Sequence, residues 1–146
     1  MVVAASLALG GCGGDGDAPS ATEYEASVVN TRDRVDFALA QIQQAQSPDD
    51  FLARLEEAGS LIDEAAADFE DTGAPERFED ESERLARHLG ELSAALAGTA
   101  TQAREVGFED LLAGASGLNF ESWDRTNATL RDLQRQGVDV QPLQRH

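Results

Sequence analysis

The amino-acid sequence predicts an all-α protein, an antiparallel bundle of about four helices after a disordered N-terminal segment. Three observations support this fold class. From Tyr24 onward, apolar residues recur three and four positions apart, the period of a helix with one buried face. Alanine and leucine dominate the apolar residues and aromatic residues make up only 5%, which favours closely packed helices over a sheet. The ends of the periodic segments, where helices begin and end, carry Pro48, Gly73, Pro75, Gly107 and Gly137.

The N-terminus begins with a short apolar element. Residues 1–9 carry no charge and are mostly valine, alanine and leucine, but a span across a bilayer needs about 20 such residues. Two small residues, Gly10 and Gly11, and the single cysteine of the chain, Cys12, follow this run. Residues 13–22 are rich in glycine, aspartate, proline and serine. This composition favours a flexible tether, because such a segment has little surface to bury.

The residues Leu9-Gly10-Gly11-Cys12 form a motif between the apolar run and the tether. The motif resembles the lipobox of bacterial lipoproteins, at which a secretory precursor is cleaved and lipidated on cysteine, and the resemblance covers residues 1–22. It implies that a diacylated or triacylated Cys12 anchors the mature chain to the cell membrane on its extracytoplasmic face. No lysine or arginine precedes Arg32. We therefore expect an upstream start codon and interpret residues 1–11 as a truncated signal peptide.

Two long helices are predicted next. The first has a single apolar stripe, formed by Tyr24, Val28, Thr31, Val35, Ala38, Ile42 and Ala45. Ser47 and Pro48 then combine a capping side chain with a residue suited to the first helical position, which predicts the start of the second helix. Its stripe consists of Phe51, Leu55, Ala58, Ile62, Ala65 and Phe69, widened by Leu52, Leu61 and Ala66. Gly73 is expected to end this helix.

The third helix is predicted over residues 75–105. Its apolar positions in phase are Phe78, Leu85, Leu89, Leu92 and Leu96. On its exposed face, acids precede arginines by four positions, which predicts the ion pairs Asp80–Arg84 and Glu83–Arg87. The small residues within 94–100 predict either a neighbour packed very close or a weaker helix near Gly98.

The rest of the chain predicts one short and one longer helix. The short piece covers residues 108–113, and the last helix covers residues 120–136. One side of the last helix carries Phe120, Trp123, Asn127 and Leu130. A semi-apolar tail follows and is expected to fold back onto the bundle through Val138, Val140 and Leu143.

The helix–proline–helix rhythm of residues 24–105, with PERFEDESERL after the second connection, resembles small helical-bundle lipoproteins of actinobacteria. This resemblance implies the fold and carries over no functional residues. The expected organisation is a signal-peptide remnant at residues 1–11, a lipidated cysteine and tether at 12–22, and one bundle domain at 23–146.

The charge of the chain is strongly acidic, with 28 acidic against 11 basic side chains and a net charge of -17. Binding of nucleic acid is excluded, because it depends on neutralising phosphates with cations. The excess is largest on the second and third helices, where the acids are Glu56, Glu57, Asp63, Glu64, Asp68, Glu70, Asp71, Glu76, Glu79, Asp80, Glu81 and Glu83. A solvated face is the favoured interpretation, and a surface for cations or cationic ligands is the alternative.

Sequence motifs for catalysis are absent. The chain has no Gly-x-Ser-x-Gly, His-Glu-x-x-His, glycine-rich phosphate loop or Cys-His pair. His88 and Glu91 have the His-x-x-Glu spacing of half a dimetal site, but the apolar stripes contain no glutamate and the second histidine, His146, is the last residue. We therefore expect a boundary histidine, no metal, no cofactor and no enzymatic activity.

The segment around the only tryptophan is the most distinctive polar-aromatic stretch. Trp123, Arg125 and Asn127 are candidates for contacting a partner, because tryptophan and arginine are common at binding hot spots. The interpretation that we favour places Trp123 in the core and makes Asn127 a hydrogen-bonded buried amide that fixes helix register.

These features predict a membrane-anchored extracytoplasmic lipoprotein whose non-catalytic bundle binds or scaffolds another envelope protein. The alternative prediction is a lipoprotein that binds cations or small solutes through the acidic face of the second and third helices.

Overall fold

The computed structural model describes residues 18–107, 109–110 and 121–144. These residues form four long helices, α1 (Ala21–Ile42), α2 (Pro48–Thr72), α3 (Glu79–Val106) and α4 (Glu121–Arg135), with a 3-10 turn (Glu76–Phe78) before α3. They contain no strand, so the predicted all-α class is confirmed. Most of the predicted helical piece at 108–113 lies outside the described residues, as do the signal remnant and residues 12–17 of the tether.

Side-chain caps set the starts of the first two helices. Ser20 accepts a hydrogen bond from the Glu23 backbone N–H, and the Glu23 carboxylate accepts one from the Ser20 N–H at 2.9 Å. Because of this capping box, α1 begins at Ala21, two residues before the expected domain boundary. Ser47 accepts from the Asp50 N–H at 3.1 Å, with Pro48 as the first helical residue of α2, as predicted.

Helices α1 and α2 are antiparallel. Near the turn that joins them, the Arg54 guanidinium donates to the backbone carbonyl of Gln41 at 3.1 Å. At their other ends, the rings of Tyr24 and Phe69 lie 6.1 Å apart between centroids. The two apolar stripes therefore face each other, and the predicted core of both helices is buried except for the half-buried Ala45, Phe51 and Leu61.

Helices α2 and α3 approach closely at a glycine. A Cβ atom on Gly59 would lie 3.2 Å from the Ser93 carbonyl oxygen, and the Ser93 hydroxyl donates to the Gly59 carbonyl at 2.8 Å. Helix α3 continues through Gly98 to Val106. The helix therefore does not end near Gly98, and the atom nearest to a Cβ on Gly59 of α2 belongs to Ser93, one residue before the small stretch.

Helix α4 buries Asn127 and Leu130, as predicted, but its buried face is rotated away from Trp123. Trp123 is half-buried and packs against the edge of the core. The buried positions are Ser122, Thr126, Asn127, Thr129, Leu130 and Leu133. Phe120 lies outside the described residues. Short hydroxyl side chains thus occupy much of the interface that α4 makes with the bundle.

The predicted ion pairs on α3 do not form. Arg84 pairs with Glu81 at 2.7 Å and with Asp132 of α4 at 3.6 Å, rather than with Asp80. The antiparallel packing of α4 against α3 brings Asp132 within reach of Arg84, which sequence spacing alone does not show. Glu83 makes no ion pair with Arg87 or with any other described residue.

The C-terminal tail folds back, as predicted. Val138, Val140 and Leu143 are 2–4% exposed. The Leu143 N–H donates to Asn127 Oδ1 of α4 at 2.6 Å, and the Gln144 N–H donates to Asp36 Oδ1 of α1 at 2.9 Å. The tail therefore lies against both the first and the last helix of the bundle.

None of the helices in the described part of the chain contains a segment long and apolar enough to cross a membrane.

Candidate binding groove

The predicted partner-binding residues do not share one surface. Asn127 is 1% exposed, with Oδ1 bonded to the tail and Nδ2 without a hydrogen-bond partner among the described residues. Arg125 is exposed and forms an ion pair with Glu91 at 3.3 Å. The side chain of Trp123 is half-buried. Two residues along a helix correspond to about 200°, so Arg125 points away from the other two. The lipobox residues Leu9, Gly10, Gly11 and Cys12 lie outside the described part of the chain.

His88 lies at the edge of the core, as expected. Its Nδ1 is 3.2 Å from Thr129 Oγ1, and because the Thr129 hydroxyl proton is directed to the Arg125 carbonyl, Nδ1 is the donor. Desolvation lowers the pKa of His88 below its ordinary value, although Glu91 opposes the shift. Across the described residues, no three histidine, cysteine, aspartate or glutamate side chains converge as a metal site.

The lowered pKa of His88 predicts a pH-dependent stability. The unfolded chain binds a proton at this residue below about pH 6.5, while the folded chain resists it, so stability falls as pH drops through 6.5. His88→Asn keeps a donor near the Nδ1 position and does not titrate. We expect urea unfolding midpoints between pH 7.5 and 5.5 to decline less for this variant than for the wild type. Equal declines would contradict the assignment.

Some acids of α2 are paired across the bundle. Arg104 of α3 forms two hydrogen bonds with the Glu56 carboxylate, which hold the pKa of Glu56 below its usual value. Arg34 of α1 forms an ion pair with Asp68 at 2.6 Å. These pairs connect neighbouring helices, so Glu56 and Asp68 have partners within the bundle and require no ligand.

An open groove lies between the end of α2 and the beginning of α3. Gly73, with a positive φ of 71°, ends α2 and allows the chain to turn into α3. The groove has a volume of about 410 Å³ and is lined by Phe69, Glu70, Gly73, Ala74, Glu79, Ser82, Glu83 and Ala86. Phe69 and Ala86 are almost fully buried and form an apolar floor.

Three carboxylates stand at the rim of this groove. Glu70 belongs to the last turn of α2, and Glu79 and Glu83 lie one turn apart on α3. None of the three makes an ion pair or a side-chain hydrogen bond with another described residue. Among the lining residues none is basic. The rim therefore differs from Glu56 and Asp68 of α2, which have arginine partners.

The remaining polar side chain of the groove, Ser82, is also an acceptor. Its hydroxyl proton is directed to the Phe78 carbonyl at 2.8 Å, so the 2.6 Å contact with Tyr24 uses the tyrosine proton. One lone pair of Ser82 Oγ remains. Burial raises the pKa of Tyr24, which keeps its phenol protonated as this donor. Every polar side chain that lines the groove thus accepts hydrogen bonds.

Sequence reasoning missed this groove, although each helix carries a signal for it. Glu79, Ser82, Glu83 and Ala86 follow the spacing of one helical face, separate from the apolar stripe of α3. The partner residues on α2 cannot be assigned to the same place without the geometry of the intervening turn.

A second feature is the exposed ring of Phe37 on α1. Phe37 is 60% exposed and, with Asp33, Arg34 and Leu61, lines a shallow cavity of about 260 Å³ between α1 and α2. Phe37 lies outside the apolar stripe of α1, but so does its buried neighbour Asp36, so position relative to the stripe does not by itself predict the exposure of Phe37.

No family model, curated protein or solved structure matches this chain. The groove and the surface around Phe37 therefore have no matching protein with which they can be compared.

Proposed function

We propose that this chain is a lipid-anchored protein of the extracytoplasmic membrane face, and that its bundle binds another molecule without catalysing a reaction. The observation that carries the proposal is the sequence Leu9-Gly10-Gly11-Cys12, placed just before a folded helix that begins at Ala21. An extended chain covers at most about 3.6 Å per residue, so the end of the bundle that holds the start of α1 stays within roughly 30 Å of Cys12. Such a short tether keeps a binding surface close to the membrane.

The partner in this proposal is another envelope protein, for which the bundle acts as a scaffold. The surface around Phe37 supports it, because an exposed aromatic ring beside Leu61 and the Arg34–Asp68 ion pair combines apolar area with polar groups.

Intact mass spectrometry tests the anchor. We expect the native protein, extracted from membranes with detergent, to have the mass of residues 12–146 plus a diacylglyceryl group, with or without a third acyl chain. Cys12→Ser is the matched control and should leave the processed, lipidated species absent. An unmodified mass that still includes Met1 would overturn the lipoprotein proposal.

Crosslinking tests the scaffold. A photoreactive residue at position 37 should capture one envelope protein from intact membranes, and Phe37→Ala should reduce copurification of that protein. Val106→Ala changes another exposed apolar residue, at 47% exposure, and should have no such effect. Equal losses from the two variants, or capture at neither position, would contradict a partner surface at Phe37.

The alternative function, binding of cations or small solutes by the acidic face of α2 and α3, is favoured by one specific observation. Three unpaired carboxylates of that face, Glu70, Glu79 and Glu83, line the rim of one groove with an apolar floor.

A further inference from the structure

We propose that the groove between α2 and α3 binds an amphiphilic organic amine, a small molecule with an apolar body and one protonated nitrogen. This inference rests on the solute-binding alternative above and names the ligand class and the residues that recognise it. It is independent of the membrane anchor and of the surface around Phe37.

The shape of the groove suits a small molecule. Its volume of about 410 Å³ lies within the range of about 300–1,000 Å³ that is typical of ligand sites. Phe69 and Ala86 form the floor, and Ala74 stands at the turn beside them. An aromatic or aliphatic body would bury apolar surface against these three residues, and this contact provides non-polar binding energy.

The charge of the rim selects a cation. Glu70, Glu79 and Glu83 stand around the apolar floor, and none of them has an arginine or another cation among the described residues. Glu56 and Asp68 of α2 have arginine partners. Glu57 and Glu64 lie exposed on the same helix and have no such partner among the described residues. The groove differs from the open surface because its unpaired carboxylates stand beside an apolar floor, so a ligand that binds there can supply the positive charge. The net charge of -17 adds a long-range attraction for cations.

The hydrogen-bonding groups of the groove require a ligand that donates. The three carboxylates only accept when ionised, and Ser82 Oγ has one lone pair left after its proton is directed to the Phe78 carbonyl. A primary ammonium group has three N–H donors and can donate to whichever of these acceptors lies within its reach. A carboxylate or phosphate ligand would meet like charge and no side-chain donor.

A bare metal ion fits the groove less well than an amine. Calcium takes six to eight oxygen ligands close together, whereas the acids of the described residues are not grouped in threes at metal-binding positions. The apolar floor would also contribute nothing to a metal ion.

The last turn of α2 supports the same ligand class independently. Glu70 and Asp71 lie where the helix macrodipole is negative, and this turn contains no basic residue. Acids at this position destabilise a helix, whereas a cation stabilises it. A bound ammonium group beside Glu70 would occupy the position that lysine or arginine commonly fills at a helix C-terminus.

The experiment compares three ligands that separate charge from apolar surface. Phenethylammonium has both, 2-phenylethanol has the same ring without the charge, and spermidine has charge without a ring. Binding is followed by the NMR shifts of the Ala74 and Ala86 methyl groups of the full chain, and affinity by calorimetry. We expect phenethylammonium to shift both methyl groups and to bind about tenfold or more tightly than 2-phenylethanol or spermidine, equivalent to about 1.4 kcal/mol.

Charge-neutral variants identify the rim. The double variant Glu79→Gln/Glu83→Gln should weaken phenethylammonium binding about tenfold, or about 1.4 kcal/mol. The matched control, Glu57→Gln/Glu64→Gln, removes the same charge from exposed positions of α2 and should change the affinity by less than about twofold, since distant exposed charges are screened.

Glu70→Gln separates a ligand-binding role from a structural one. Without ligand, this variant should raise Tm by about 1–3 °C, because it removes an unfavourable charge from the end of α2. It should nevertheless weaken phenethylammonium binding. A residue whose role is structural would not combine a stability gain with a loss of affinity.

The outcomes distinguish this inference from the broader functions. If 2-phenylethanol binds equally well and the rim variants have no effect, the amine assignment is wrong while solute binding stands. If spermidine binds best and both double variants weaken it equally, the attraction is a general surface charge and the groove is not the site. If none of the three ligands shifts Ala74 or Ala86, the amine inference fails, and the anchor and scaffold proposals are unaffected.

Discussion

Ending the chain at Gly137 should lower the free energy of unfolding by roughly 5 kcal/mol, because burial of each large aliphatic side chain contributes about 1.5–3 kcal/mol. The deletion removes Val138, Val140 and Leu143, which are 2–4% exposed. It also leaves the buried Asn127 without the Leu143 N–H that donates to it. A domain of this size is stabilised by about 5–15 kcal/mol in total, so the truncated chain should be marginally folded. Urea unfolding followed by far-UV circular dichroism measures the loss.

The control for this prediction keeps the apolar residues of the tail. Gln141 and Gln144 are exposed, and their described hydrogen bonds to α1 use backbone atoms: Arg32 donates to the Gln141 carbonyl, and the Gln144 N–H donates to Asp36. Gln141→Ala/Gln144→Ala should therefore shift stability by less than about 0.5 kcal/mol. If the truncated chain unfolds at the same urea concentration as the full chain, the tail is not part of the core.

The sequence could predict the first three helices and the tail because their buried residues are apolar and periodic. Helix α4 was harder because its buried face is largely polar. Thr126 donates to the Ser122 carbonyl at 2.8 Å and Thr129 donates to the Arg125 carbonyl at 3.2 Å, each four residues back. A hydroxyl that is satisfied within its own helix can be buried without an outside partner. A pattern of apolar residues cannot identify buried serine and threonine. It therefore predicts that Trp123 is in the core, whereas Ser122 and Thr126 are the buried residues.

The candidate groove depends on a relationship between helices, which one sequence does not contain. Glu83 was expected to pair with Arg87 on the basis of spacing, yet it lies at the groove rim without that partner. Arg84, one residue on, turns to Asp132 of α4. Sequence spacing shows which ion pairs are possible within one helix. Which of these pairs form also depends on the charged residues of the helix packed alongside. Buried Asp36 is a further example, since its partner in the tail is 108 residues away.

Phe78→Ala should destabilise the bundle by about 3–5 kcal/mol, the usual cost of deleting a buried aromatic ring. Phe78 is 1% exposed and stacks on Tyr24 with ring centroids 4.9 Å apart and planes 15° apart. The Arg77 guanidinium lies 4.3 Å from the centre of the Phe78 ring. Loss of the ring leaves a cavity at the point where α1, the 3-10 turn and α3 meet. Urea denaturation of the purified variant measures the change in unfolding free energy.

The same substitution on α1 provides the matched control. Phe37→Ala removes an identical side chain that is 60% exposed, and should change stability by less than about 0.5 kcal/mol. Equal losses from the two variants would mean that Phe78 is not a core residue. A large loss confined to Phe78→Ala would confirm that Phe78 belongs to the core. Tyr24 holds Ser82 through a 2.6 Å hydrogen bond while it stacks on Phe78. The Phe78 ring holds Tyr24 in position, and the hydrogen bond from Tyr24 orients the Ser82 hydroxyl. Both the packing of this junction and the acceptor at Ser82 in the groove therefore depend on Phe78.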